Sequence, residues 1–110
     1  MTAQQALQVQ TRKNNIEISG FSEKVNEDLY SIICEIGGKI GIQINKGDID
    51  IAHRVPTRRV DSPRPIIVRF INRWKKQEIL DAKPRLTTGD FKSEGPRRNI
   101  YIGEHLSPHQ

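Results

Sequence analysis

Apolar residues along this chain keep two rhythms, and the order in which the rhythms alternate outlines a fold. In "NNIEISGF", Ile16 and Ile18 alternate with Glu17 and Ser19 and the run stops at Gly20, the period-2 signature of a half-buried strand. Asn26 then offers a helix N-cap with Glu27 and Asp28 in the favourable first turn, and Leu29, Ile32, Ile33, Ile36 and Ile40 follow at helical spacing. Gly37 and Gly38 weaken the last turn, and Gly41 or that pair ends it. "DIDIAHRVP" alternates again and stops at Pro56, a second strand. "TRRVDSPRP" has the charge and proline content of an exposed loop, kept extended by the prolines on either side of Arg64.

"IIVRFIN" is the third strand, starting directly after Pro65. Ile66, Val68 and Phe70 share one face and read as core, whereas Pro65, Ile67, Arg69 and Ile71 share the other. Arginine keeps its charge at any physiological pH, so that second face should meet water or an anionic partner. Asn72 caps a second helix, "RWKKQEILDAK", with Trp74, Ile79 and Leu80 facing inward and Pro84 just beyond its end. The remainder predicts a small extra strand near Phe91, a hairpin turning near Gly95-Pro96 and a last strand through Ile100 and Ile102.

The order is therefore β-α-β-β-α-β, an α+β chain of ferredoxin-like plan: an antiparallel sheet with both helices on one face and a small extra hairpin before the last strand. Its expected core contains Ile16, Ile18, Leu29, Ile33, Ile36, Val68, Phe70 and Leu80. One sheet face is left uncovered, the face on which RNA-recognition-motif domains stack bases against aromatic rings of the first and third strands. Here Glu17, Pro65 and Ile67 occupy the corresponding positions, which argues against stacking of that standard kind. Tyr101, opposite in face to Ile100 and Ile102, is the stacking candidate on the last strand; Trp74 reads as core, with a second reading in which it stacks a base.

Charge sharpens this outline. At 110 residues the chain has room for one domain with one core, and its net charge of +5 is unevenly spread. From Ile16 to His53 there are seven acids against three lysines, whereas Arg54, Arg58, Arg59, Arg64, Arg69, Arg73, Lys75 and Lys76 are opposed by Asp61 alone. An arginine-rich patch suits phosphate, because the guanidinium presents a planar fork of donors. Arg54, Arg58, Arg59, Arg64, Arg69, Arg73 and Lys75 are accordingly candidate nucleic-acid contacts, joined by Arg97, Arg98 and Tyr101 at the last strand and by His53 beside Arg54. The other reading of His53 is structural, fixing the loop that follows. The segment "VPTRRVDSPRP" is expected to act as a mobile basic flap over the bound backbone, with Arg69 and Arg64 holding phosphates and Ile67 lying under a sugar or base.

Catalysis finds little footing. His53, His105 and His109 are scattered, no glycine-rich loop has P-loop spacing, and the carboxylates are accounted for by capping and solubility. The single Cys34 excludes an internal disulfide and a Cys-cluster metal site and reads as a small core or boundary residue; with no apolar run of membrane-spanning length, it fits a cytoplasmic or nuclear setting. The expectation is a non-enzymatic protein without cofactor or metal.

"NNIEISGF" followed by "NEDL", then "DIDIAHRVP", "RPIIVRF" and "NIYIGEHLSP" resembles, in wording and spacing, the RNA-binding domain of the first open-reading-frame proteins of non-LTR retrotransposons. It looks closest to the insect-type branch, which is related to the baculovirus few-polyhedra proteins. The resemblance covers Asn14 to Pro108, and the pairing of "AHRVP" with "PRPIIVRF" is its most specific part. It implies a divergent RNA-recognition-motif domain over residues 14–106, acting in a ribonucleoprotein with nucleic-acid chaperone activity. It also implies that residues 1–13 are an N-terminal extension, the tail of a trimerising coiled coil, and that residues 107–110 start a truncated C-terminal segment in which Ser107 caps a helix. No heptads are present, so oligomerisation is not encoded within this sequence. Two function classes stand: a single-stranded RNA or DNA binding module with little sequence readout, and a protein-interaction domain whose arginines meet an acidic partner.

Overall fold

The structure is a computed structural model, and it describes residues 14–57, 61–82, 84–91 and 97–104. Within these residues the elements run β1 (Asn15–Ser19), α1 (Leu29–Ile40), β2 (Ile49–Arg54), β3 (Ile66–Phe70), α2 (Arg73–Asp81), β4 (Leu86–Thr87) and β5 (Asn99–Glu104), with single 3-10 turns at Lys46–Asp48 and Thr88–Asp90. The sheet order is β2-β3-β1-β5-β4 and every neighbouring pair is antiparallel. Stripped of β4, this is the ferredoxin-like split β-α-β arrangement, with the first and third strands in the centre. The extra strand pairs Leu86 with Ile100 and Thr87 with Asn99, so it lies earlier in the chain than the expected position near Phe91. Phe91 is instead buried, its ring meeting Phe21 edge to face at 5.1 Å and so fastening the β1–α1 connection to the Thr88–Asp90 turn. The coiled-coil tail in residues 1–13, the Gly95-Pro96 turn, the truncated C-terminal segment, and Arg58 and Arg59 of the expected flap lie outside the described residues.

One face of the sheet builds the core. Ile16 and Ile18 of β1, Ile49 of β2, Ile66, Val68 and Phe70 of β3 and Ile100 of β5 pack against Ile33 and Ile36 of α1 and Ile79 of α2. Leu29 and Leu80, expected in that core, are only half-buried at its margin: Leu29 is the first residue of α1, at the open end of its inward stripe, and Leu80 lies to one side of the Lys76 and Ile79 stripe of α2. Trp74, expected inward, is 65% exposed: in the nine-residue α2 the buried positions are Lys76 and Ile79, and Trp74 falls outside their stripe.

Helix α1 starts two residues later than the Asn26 cap would place it. Asn26 sits in the preceding turn at φ 61°, and Asp28 is the cap. The Asp28 carboxylate accepts from the backbone N–H groups of Tyr30 and Ser31 and from the Ser31 hydroxyl (2.7 Å), three donors that Asn26 does not meet. The helix ends at Gly41, whose φ of 79° is the left-handed conformation typical of a C-cap glycine. Gly37 is required for a different reason: a Cβ there would stand 2.6 Å from the Ile42 carbonyl oxygen and 2.7 Å from the Ile44 side chain.

Strand β2 departs from simple alternation, which would place Ile49 and Ile51 on one face. Ile49 pairs with Phe70 but Ile51 pairs with Arg69, so Asp50 is the additional residue of a β-bulge. Ile49 is buried, and Ile51 turns to the opposite face, which no helix among the described residues covers.

Candidate nucleic-acid interface

The strand register determines what the uncovered face displays. Its rows are Ile51, Arg69 and Asn15; then His53, Ile67, Glu17 and Gly103; then Ser19 and Tyr101; and at the edge Thr87 and Asn99. Tyr101 is 65% exposed, as its alternation with Ile100 and Ile102 requires. Ile67 is buried despite its place on this face, sheltered by its neighbours, and so offers little surface to a sugar or base. The face is thus polar and cationic at one end, aromatic at the other.

A groove of about 550 Å³ runs along the aromatic end. Glu17, Ser19 and Gly20 of the β1 segment, Asn99 and Tyr101 of β5, Arg98, and Thr57, Ser62, Pro63 and Pro65 of the β2–β3 connection line it. Arg98 donates from Nη1 to the Asp61 carbonyl (3.0 Å), joining the start of β5 to that connection. The Ser19 hydroxyl donates to the Glu17 carboxylate (3.2 Å), and the Asn99 amide donates to the Tyr101 hydroxyl (3.4 Å). These polar groups surround a ring and two prolines, the mixture of flat apolar surface and few oriented polar groups found in small-ligand clefts.

The arginine patch is less free than its charge suggests, because the fold sets it against the acids of the preceding half of the chain. The Arg54 guanidinium, its side chain only 7% exposed, donates to both Glu27 carboxylate oxygens at 3.1 and 3.0 Å, to the carbonyls of Phe21 (2.9 Å) and Ser22 (3.1 Å), and to the Arg64 carbonyl. It shares the core-facing side of β2 with Ala52, since Arg54 pairs with Ile66 and Ala52 with Val68. Every donor direction it has toward the protein is used, so its expected role as a phosphate contact does not fit; it ties the β1–α1 connection to the end of the sheet.

Arg64 donates to both oxygens of Glu23, from Nε at 3.0 and 3.1 Å and from Nη2. That guanidinium holds the Glu23 carboxyl below its ordinary range, against a smaller opposing effect of burial. Arg69 donates from Nε to Asp50 at 2.8 Å, so the bulge that turns Ile51 outward also delivers the acid that pairs with Arg69. Its ion-pair partner is thus Asp50 on the edge strand. Both side chains of this pair are partly open to solvent. Lys75 donates to the Gln43 carbonyl (2.8 Å) and lies 3.6 Å from Glu78.

The remaining candidates fall into two groups. Arg98 and Tyr101 line the groove, and exposed His53 stands across β3 from Glu17, on the same face. Exposed Arg97 lies against Gly89, while Arg73 stacks its guanidinium over the Trp74 ring at 4.8 Å beside Lys76 and Glu104, at the start of α2 and away from the groove. Ser19 and Asn99 were not singled out from the sequence, and Thr57 and Ser62 only as part of the expected flap. The alternation that turns Glu17 and Tyr101 to this face also places Ser19 and Asn99 on it, so those two were readable. Thr57 and Ser62 were not, since they come to the groove through the path of a connection.

Among the described residues no group of His, Cys, Asp and Glu could hold a metal ion, and no helix is long and apolar enough to cross a membrane. The chain matches no family model and no curated protein.

Proposed function

We propose that this domain binds single-stranded nucleic acid, chiefly RNA, along the uncovered sheet face, with the groove beside Tyr101 as the centre of the site. The observation that carries this reading is the exposed Tyr101 ring in an open groove that Arg98 also lines, on the sheet face that no helix among the described residues covers. A base can stack on the tyrosine, while the Arg98 guanidinium and the solvent-open Arg69 engage the backbone. Phosphate oxygens can take the place of Asp50 at Arg69 because that pair is partly hydrated, and an exposed ion pair contributes only about 0.2–1 kcal/mol. The sequence resemblance extends the reading to a retrotransposon ribonucleoprotein with chaperone activity, in which weak, sequence-tolerant contacts suit repeated rearrangement of RNA.

The test is a fluorescence-anisotropy titration of a single-stranded RNA octamer at several salt concentrations. Affinity should fall log-linearly with salt, with a slope of about 0.7 per phosphate engaged, and Tyr101→Ala should weaken binding without changing stability. Salt-independent affinity, or binding that ignores Tyr101, contradicts the proposal.

A further inference from the structure

We infer that Trp74 and Arg73, at the rim where β3 passes into α2, form a second stacking subsite that takes a base of the same RNA strand after it leaves the Arg69 end of the sheet face. The inference rests on the nucleic-acid reading above and extends its footprint.

Trp74 reads as core in the sequence, and the fold leaves it exposed. It does not stand alone. Ile71 is exposed just past the end of β3, and Ile51 is exposed on the β2 side of Arg69, so three large apolar side chains lie open at this one end of the sheet. Single exposed apolar residues are ordinary, whereas a group of them marks a binding surface. Backbone bonds hold this ledge in place. The Asn14 amide donates to the carbonyls of Phe70 (3.0 Å) and Ile71 (3.4 Å), the Ile71 N–H donates to the Asp48 carbonyl (3.0 Å), and the Trp74 N–H donates to the Asn72 cap (2.8 Å). A partner that docks here therefore orders little further chain.

What the ring carries selects the partner. The Arg73 guanidinium lies over the Trp74 ring, 4.8 Å from its centroid. A flat apolar surface with a cation fixed upon it suits a nucleotide, which brings a flat base and an anion in one unit. The ring also lines a pocket of about 310 Å³ with Lys76, Gln77 and Glu104, so polar groups meet the edges of a base stacked there. Lys76 is buried and lies 3.1 Å from Glu104, which fastens the end of β5 to α2 beneath that pocket.

Strand register sets the route to it. Tyr101 stands across from Ser19 and Arg69 across from Asn15, on opposite sides of β1. Four residues along the strands and two strands across amount to a diagonal of about 17 Å. An RNA strand that stacks on Tyr101 and meets Arg69 crosses the face along this diagonal and leaves it beside Ile71, where α2 begins. Trp74 lies at that exit, beyond an oligomer that fills the groove alone.

Trp74 is the single tryptophan of the chain, so its emission reports on this subsite without a label. The experiment titrates wild type, Trp74→Ala, Trp74→Phe and Tyr101→Ala with a uridine tetramer and a uridine dodecamer at fixed salt, reading RNA anisotropy and, where Trp74 is kept, its emission. In wild type the dodecamer should quench the emission strongly and the tetramer only weakly. Trp74→Ala should weaken the dodecamer by about fivefold or more, the lower end for one stacked base, and should leave the tetramer nearly unaffected. Trp74→Phe should recover most of the dodecamer affinity, because a ring remains, and the urea midpoint of Trp74→Ala should match wild type, because the side chain is exposed. Emission unmoved by the dodecamer, or dodecamer affinity that survives Trp74→Ala, overturns the rim subsite; the sheet-face reading still stands if Tyr101→Ala weakens both oligomers. Emission that shifts with protein concentration in the absence of RNA assigns the ledge to a second copy of this chain and also overturns the subsite. Dodecamer binding that needs Trp74 but ignores Tyr101 overturns both readings, as does failure of wild type to bind either oligomer.

Discussion

Arg54 is where charge count and fold disagree most sharply, and its replacement by alanine separates them. The Arg54 and Glu27 side chains are 7% and 13% exposed, so the substitution strands a nearly buried carboxylate together with the carbonyls of Phe21, Ser22 and Arg64. Removing one partner of a buried ion pair typically costs about 3–5 kcal/mol. Glu27 lies close enough to the surface for water to reach it once the guanidinium is gone, which favours the lower end, about 3 kcal/mol. A small domain has a total stability of about 5–15 kcal/mol, so the loss should be plain in a urea melt as a lowered midpoint with an unchanged m-value. Glu27→Gln should destabilise as well, and the double variant should lose less than the sum of the singles, because one interaction is being removed twice. The salt slope of RNA binding by the folded fraction should not move. If Arg54→Ala stays within about 0.5 kcal/mol of wild type and the salt slope becomes shallower, Arg54 is a phosphate contact and the structural reading of it is wrong.

Phe70→Ala, which empties a fully buried ring position in the central core, should cost about 3–5 kcal/mol in the same melts, and a cost below about 1 kcal/mol would place that ring outside the core. Arg69→Ala should weaken RNA binding and lower the salt slope by about 0.7, whereas Asp50→Asn, which frees the guanidinium, should strengthen binding; opposite or null effects in salt-series titrations would remove Arg69 from the interface. Stability should fall in acid for an identifiable reason. Hydrogen bonds from Ser31 hold the Asp28 carboxyl below its ordinary value of 3.8, and the hydrogen bond from Arg64 holds Glu23 below 4.5. The unfolded chain therefore takes up these protons first as pH drops, so the stabilisation is complete above those ordinary values and disappears as pH falls through the lowered folded ones. Urea midpoints followed from pH 6 to pH 2 should decline less steeply in Asp28→Asn than in wild type, and identical profiles would remove the cap from the account.

The fold was legible in the sequence where the period of the pattern was long enough to be unambiguous. Ile16 and Ile18, the alternation in β3 and the 3.6-residue stripe of α1 each allow a single assignment of faces, and together they set the layer order. Legibility failed at Asp50, where one inserted residue reverses the faces of β2 without any mark in composition, and at Asn26, a residue type suited equally to a cap and to a left-handed turn. Tyr101 and Glu17 could be placed on the open face from alternation alone. The fate of the arginines could not, because whether Arg54 meets Glu27 depends on a contact between residues 27 positions apart, and charge counted along the chain does not record which charges the fold brings together.

The most direct test of the open-face site is the mapping of backbone amide chemical shifts in the labelled domain as a single-stranded RNA octamer is added. The largest changes should fall on Ser19, Asn99, Tyr101, Arg98 and Thr57 around the groove and on His53 and Arg69 along the face, with Glu35, Lys39 and Gln77 of the helix layer unmoved. Changes concentrated instead on Arg73 and Trp74 at the start of α2, with the groove residues silent, would contradict the assignment of the uncovered sheet face as the nucleic-acid site.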